Sequence, residues 1–139
     1  MNANDYSGLS GKWQKRFEFF DKYGTNPNVP EFKAAIKAVP FMQRNLYLIN
    51  FIAFFFGFIY FFVLGLWRKN LTLLGITVAC SILLDAAIML FAPDITEHSL
   101  NAINRGVGFA FAALYALTAN RAYYLHKVKG SKSWNPFEQ

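Results

Sequence analysis

The chain is poor in cysteine and in acidic residues, and it has no catalytic signature. A single cysteine, Cys80, excludes an internal disulfide. A thiol among apolar neighbours is inert, so Cys80 is expected to pack rather than react. Eight Asp and Glu stand against fourteen Lys and Arg, a net charge of +6. No motif for groove or single-strand recognition accompanies that excess, and nucleic acid is not an expected partner. The sequence contains no CxxC, no HExxH, no phosphate-cradling glycine loop and no nucleophile–base pair. With no titratable cluster to work from, the chain is expected to be no enzyme and to hold no cofactor. Asp94, Glu97 and His98 lie together. Metal binding wants three or four ligands at compatible spacing, so these three beside a proline read as a solvated turn.

What the chain does have is length of apolar sequence. Residues 46–67, 71–92 and 100–119 are three long apolar stretches, and almost every Lys and Arg lies outside them. About 20 mostly apolar residues cross a hydrocarbon core of about 30 Å, and Leu46–Trp67 shows no polar face for water to wet. The first stretch begins too late and runs too long for a cleavable secretory signal, so the N-terminus is expected to be retained. These features predict an all-α membrane protein. It has two transmembrane helices plus an aromatic re-entrant or third membrane helix, preceded by short amphipathic helices. Residues 1–45 would be a cytoplasmic basic region, 46–125 the membrane domain and 126–139 a cytoplasmic tail.

Charge sets the topology. Lys33, Lys37 and Arg44 precede the first stretch, and Arg68 and Lys69 follow it; Arg121, Lys127, Lys129 and Lys132 follow the last. The connection Pro93–Ser99 carries Asp94 and Glu97 and no cation. Three crossings would put the basic flanks of 46–67 on opposite sides. A segment that dips in and returns keeps every flanking cation in the cytoplasm, as the positive-inside rule favours. Such a turn must be covered by protein, and Gly57 sits where it would fall. The alternative is an ordinary span with the N-terminus outside. Both arrangements leave the C-terminus cytoplasmic.

The polar ends show local patterns. Ser10 is a possible N-cap, Trp13, Phe17 and Phe20 recur at helical spacing, and Gly24 is a stop. Lys12, Lys15, Arg16 and Lys22 fall opposite that stripe, although Phe19 and Tyr23 spoil the polar face. A second short helix is expected from Pro30, at the first helical position, with Phe32, Ile36 and Val39 as its stripe and Pro40 as its end. Two basic amphipathic helices ahead of a membrane segment read as surface-lying elements. Trp13, Phe17 and Phe20, with Trp134 and Phe137 of the tail, are the candidate cytoplasmic docking residues. They would meet membrane lipid, or a protein partner; packing on the protein's own tail is the plainer use. His126 beside Lys127 reads as an interfacial basic residue.

Asp85 and Arg105 are ionisable residues inside apolar stretches, where they are costly and normally face protein or water. At about 1.5 Å per residue, they lie about 10 Å and about 8 Å below the ends of their stretches, at nearly equal depth. An intramembrane ion pair between them is expected. Gly75, Ser81, Ala102, Gly106, Ala110 and Ala113 would let helices approach closely, either within the chain or in self-association.

The run Phe51–Phe62, then Leu66-Trp67-Arg68-Lys69 and Leu71–Gly75, resembles a family of small bacterial inner-membrane proteins catalogued as a domain of unknown function. Lys12–Phe17, Asp21–Gly24, Pro40-Phe41 and Ser133–Phe137 extend the resemblance over most of the chain. Phe58 stands where the family often has proline. The resemblance implies a bacterial inner membrane and no established activity, so it supplies no catalytic residue. The expected role is therefore a non-enzymatic accessory or scaffold protein presenting a basic aromatic cytoplasmic surface to a partner or to anionic lipid. A small oligomeric channel or transporter with Asp85 and Arg105 in its pathway is the alternative.

Overall fold

Proline and glycine punctuate the first half of the chain, and asparagine and threonine cap the second. The computed structural model describes residues 5–139, in which six helices and no strand occur. Helix α1 spans Gly11–Tyr23 and stops at Gly24, where the sequence places its end. Ser10 occupies the N-cap position, but its side chain makes no capping bond. Helix α2, Pro30–Ala38, begins on its proline. Pro40 ends that segment and also starts α3, Phe41–Leu48, a helix the periodicity did not reveal.

Two devices shape the aromatic stretch that follows. Asn50 caps α4, Phe51–Val63, by accepting from the Ala53 amide at 3.1 Å. Within α4, Phe56 leaves the helical region (φ −127°, ψ 23°), so two short helical pieces meet at a kink. The break therefore falls one residue before Gly57, and Gly57 has a different task. A Cβ there would lie 2.4 Å from Cγ of Tyr115; only glycine lets α4 come this close to α6. At Gly65 a positive φ of 75° turns the chain out of α4, a conformation glycine adopts without steric cost. Helix α5, Trp67–Phe91, follows. Thr96 then caps α6, Glu97–Val128, by accepting from the Ser99 amide at 3.3 Å.

Contacts along α6 trace the path of the aromatic segment. The Asn50 amide donates to the Ala116 carbonyl at 2.9 Å. Phe54 meets Phe109 edge to face at 5.3 Å. Past the kink, Gly57 abuts Tyr115 and Gly65 approaches His126. Both ends of the segment thus sit toward the C-terminal end of α6, and Phe54 reaches a point about 10 Å further along that helix than Ala116. Helix α4 packs on α6 and on α5.

The core gathers at the same end. Phe17 and Phe20 are buried against Tyr124, with ring centroids at 5.3 and 5.4 Å. On the other side of α1, Phe19 stacks on Tyr47 at 4.4 Å and meets Phe32 edge-on at 5.4 Å. Helix α1 is therefore covered on two faces, which is why its amphipathicity looks imperfect. Arg16 is not on a solvated face either: it is buried, and its Nε donates to the Leu46 carbonyl at 2.7 Å. Burial pushes the Arg16 pKa down, with Tyr60 acting weakly the other way. Residues 11–48 and the end of α6 consequently form one packed unit rather than a separate N-terminal region.

Outside that unit the surface is apolar. Phe55, Ile59, Val63, Leu83, Leu90 and Phe109 are among the large hydrophobic residues left exposed on α4, α5 and α6. Three helical segments, Phe41–Val63, Trp67–Phe91 and Glu97–Val128, are long and apolar enough to cross a membrane. The first of these is interrupted at Ile49–Asn50, between α3 and α4. Cys80 is exposed on α5 rather than packed.

Candidate functional site

Four buried polar side chains hold the aromatic segment in place. Asn50 Nδ2 donates to Asn120 Oδ1 at 3.0 Å. Asn120 Nδ2 reaches back to the Leu46 and Tyr47 carbonyls at 3.3 and 3.1 Å, tying the end of α3 to α6. On the returning side, Asn70 Nδ2 donates to the Phe58 carbonyl at 2.8 Å, and the Tyr115 hydroxyl donates to Asn70 Oδ1 at 2.8 Å. No buried side-chain nitrogen or oxygen among the described residues lacks a partner. A fully satisfied network of this kind fixes a unique arrangement; a partly satisfied one would cost more than an apolar core.

Asp21 forms a second lock. Its carboxylate accepts from the hydroxyls of Tyr6 and, at 2.5 Å, Tyr124, joining the start of the chain to α6. Burial, then the hydrogen bond and charge of Asp21, raise the Tyr6 pKa, so this hydroxyl remains a donor.

The tail closes the same end. Lys69, almost fully buried, donates from Nζ to Glu138 at 2.5 Å and to the Asn135 carbonyl at 3.0 Å. The Ser131 hydroxyl also donates to Glu138, at 2.6 Å. Arg68 Nη1 donates to the Lys132 carbonyl at 2.8 Å, and Trp67 meets Trp134 edge-on at 5.4 Å. His126 Nδ1 lies 3.1 Å from the Ser131 carbonyl, which assigns the proton to that nitrogen because a carbonyl can only accept. Between α5 and the tail lies a cavity of about 180 Å³ bordered by Gly65, Trp67, Arg68, His126, Lys132 and Ser133. Its walls combine cations with an aromatic rim, the chemistry that suits an anionic group at an interface.

Burial raises the Glu138 carboxyl, but hydrogen bonds from Lys69 and Ser131 and the Lys69 charge outweigh it and leave its pKa lowered. A lowered folded-state value means that the tail's attachment is held above the ordinary carboxylate range and lost as pH falls through that value. Glu138→Gln should therefore free the tail at neutral pH, increasing its cleavage in limited proteolysis severalfold. The parent protein should behave likewise only when acidified below the ordinary carboxylate range. Equal cleavage of both at pH 7 would show that the ion pair does not hold the tail.

The expected docking residues divide. Phe17 and Phe20 are core, and Trp13 packs on Tyr123 at 4.7 Å, so the helix that might have gripped a partner grips α6. Trp134 and Phe137 remain 50% and 42% exposed and are the two that a partner or a lipid surface can still reach. Asp85 and Arg105 are both exposed and form no ion pair with each other; among the described residues the ion pair is Lys69–Glu138. Gly75, Ala102, Gly106 and Ala110 are exposed, so these four line no helix interface within the chain; Ser81 is half-buried, and Ala113 is half-buried beside Phe51 and Phe54 of α4. Asp94, Glu97 and His98 are exposed at the α5–α6 connection, where Glu97 opens α6.

Comparison with known proteins places this architecture. The family described as protein of unknown function (DUF2628) matches residues 6–129. The chain belongs to this family. It is 40% identical over 136 residues to the uncharacterized protein YigF of Escherichia coli (strain K12), covering 95% of this chain and 94% of that protein. The uncharacterized YigF proteins of Salmonella typhimurium (strain LT2) and Salmonella typhi match with the same identity and coverage. No solved structure matches. The DUF2628 match takes in every helix and stops before the Ser131–Glu138 clamp. Sequence reading had singled out none of the asparagines at the junction. The available signal was their position, since Asn50 interrupts apolar sequence, Asn70 directly precedes it and Asn120 directly follows it.

Proposed function

We propose that this protein is a non-enzymatic accessory protein of the bacterial inner membrane, whose basic aromatic end faces the cytoplasm and rests on anionic lipid. In this reading α5 and α6 span the bilayer, α4 dips in and returns, and the connection at Asp94–Glu97 is external. One observation carries it: both ends of the aromatic segment sit toward the C-terminal end of α6, the end where α1, α2, α3 and the tail also collect. Those elements and their junctions carry every Lys and Arg except Arg105. Each cation near an anionic leaflet is worth about 1 kcal/mol, so the platform binds by many small terms, screened by salt. The exposed Trp134, Phe137 and Trp67 supply interfacial aromatic anchors.

Single cysteines at Lys22, Thr96 and Gly130, in a Cys80→Ala background, test the reading in intact cells. The Thr96 position should label from the periplasm, and the other two only after the cytoplasm is opened. External labelling at Lys22 would establish three crossings instead, and release of the protein by a carbonate wash would remove it from the bilayer altogether. The channel alternative draws support only from the exposure of Asp85 and Arg105; it requires a conductance that Asp85→Asn abolishes.

A further inference from the structure

Two charges on the long helices are left without partners by the fold. Asp85 on α5 and Arg105 on α6 are exposed, and no ion pair joins either to another described residue. The membrane reading above, on which this inference rests, turns both toward lipid. An ionisable side chain within a spanning helix is costly and normally faces protein or water. The chain does not relieve that cost itself, because α4 takes up the contacts of α5 and α6 near the cytoplasmic end, and further along both helices are largely exposed. Asp85 lies six residues before the end of α5 and Arg105 eight residues after the start of α6, so both sit about 10 Å from the external connection.

We propose that a second copy of this chain supplies both missing partners, Asp85 of each copy pairing with Arg105 of the other. Copies inserted with the same orientation carry the two charges at the same level. A two-fold axis along the membrane normal therefore closes two equivalent ion pairs at once, as an isologous interface requires. The surface around Arg105 permits the approach: Ala102 and Gly106 flank it on α6, and a Cβ at Gly106 or Gly108 would meet nothing within 4 Å. Opposite charge at equal depth selects a second copy over a lipid headgroup, which would serve Arg105 and leave Asp85 exposed.

The test is a charge swap between copies carrying different tags. Parent copies should co-purify from mild detergent, and Asp85→Arg or Arg105→Asp alone should weaken that association at least tenfold. Co-expressing the two single variants should restore it, because each then offers the other two opposite pairs. The double variant recovers whether the pair forms within one chain or between copies, so the mixture decides: a latch within one chain leaves it unrestored, which overturns the pairing. Should either variant fail to insert, Asp85→Cys and Arg105→Cys copies, co-expressed in the Cys80→Ala background, should be joined between copies by a short membrane-permeant bis-maleimide, whose span matches the reach of an Asp–Arg pair where a direct disulfide would be too short. A monomeric parent in the membrane fraction, or the absence of that cross-link, overturns the pairing. A parent found in the soluble fraction overturns the membrane reading itself, so the two failures are distinguishable.

Discussion

Gly57→Ala should be the most damaging single-methyl change in this protein. The added carbon would sit 2.4, 2.6 and 2.8 Å from Cγ, Cβ and Cδ1 of Tyr115. Cβ is bonded to the α6 backbone and stays in place whatever the rotamer, so no rotamer change relieves the clash and the helices must separate. Overpacking typically costs about 1–3 kcal/mol, and here the separation also disturbs two further contacts of the same ring. Phe61 meets Tyr115 edge to face at 4.9 Å, and the Tyr115 hydroxyl donates to Asn70. A loss at the top of that range lowers Tm by about 10 °C in a chain of this size, measurable by thermal unfolding in detergent. Gly75→Ala is the matched control: a Cβ there meets nothing within 4 Å, and alanine favours a helix by up to about 1 kcal/mol. A parent-like Tm for Gly57→Ala would mean that α4 and α6 do not touch at this point.

Asn120→Leu should be at least as costly, for a different reason. The side chain is buried and serves three partners at once. Leucine leaves the Tyr47 carbonyl and the Asn50 side-chain amide without those bonds, whereas the Leu46 carbonyl still receives Arg16. Each buried polar group left unpaired costs about 1–3 kcal/mol, so the expected loss for the two is about 2–6 kcal/mol. Faster hydrogen exchange at the Asn50 amide, which donates to Ala116, should accompany the lower Tm. Asn104→Leu, on an exposed part of the same helix, should change neither. If Asn120→Leu matches it, the asparagine network does not secure the segment.

Local signals in the sequence were read correctly where local chemistry decides. Gly24 and Pro30 mark helix ends because one backbone angle at each settles the matter. The three apolar stretches were visible because their composition is continuous over many residues. The separation of cations from apolar sequence also carried through to three dimensions, where the basic elements collect at one end. What stayed hidden depends on the placement of α4. Phe17 and Phe20 look like a docking stripe until Tyr124, more than a hundred residues later, covers them. The Asp85–Arg105 pair was inferred from equal depth alone, but depth says nothing about lateral distance, and α4 occupies the contacts that would have brought their helices together. Gly57 was recognised as exceptional, yet a sequence cannot distinguish a glycine that bends the chain from one that admits a neighbouring ring. Helix α3 was missed because it is eight residues long and runs straight into the apolar stretch.

The Asp21–Tyr124 bond spans 103 positions, and the Asn50–Asn120 bond spans 70. Phe19 can already meet Phe32 and Tyr47, but the other face of α1 has nothing to fold onto until the final helix has been synthesised. During translation Phe17 and Phe20 lack Tyr124, and the aromatic segment lacks the carbonyl that anchors its entrance. Assembly of this molecule is necessarily late and concerted, with the closing helix acting as the template on which everything upstream settles.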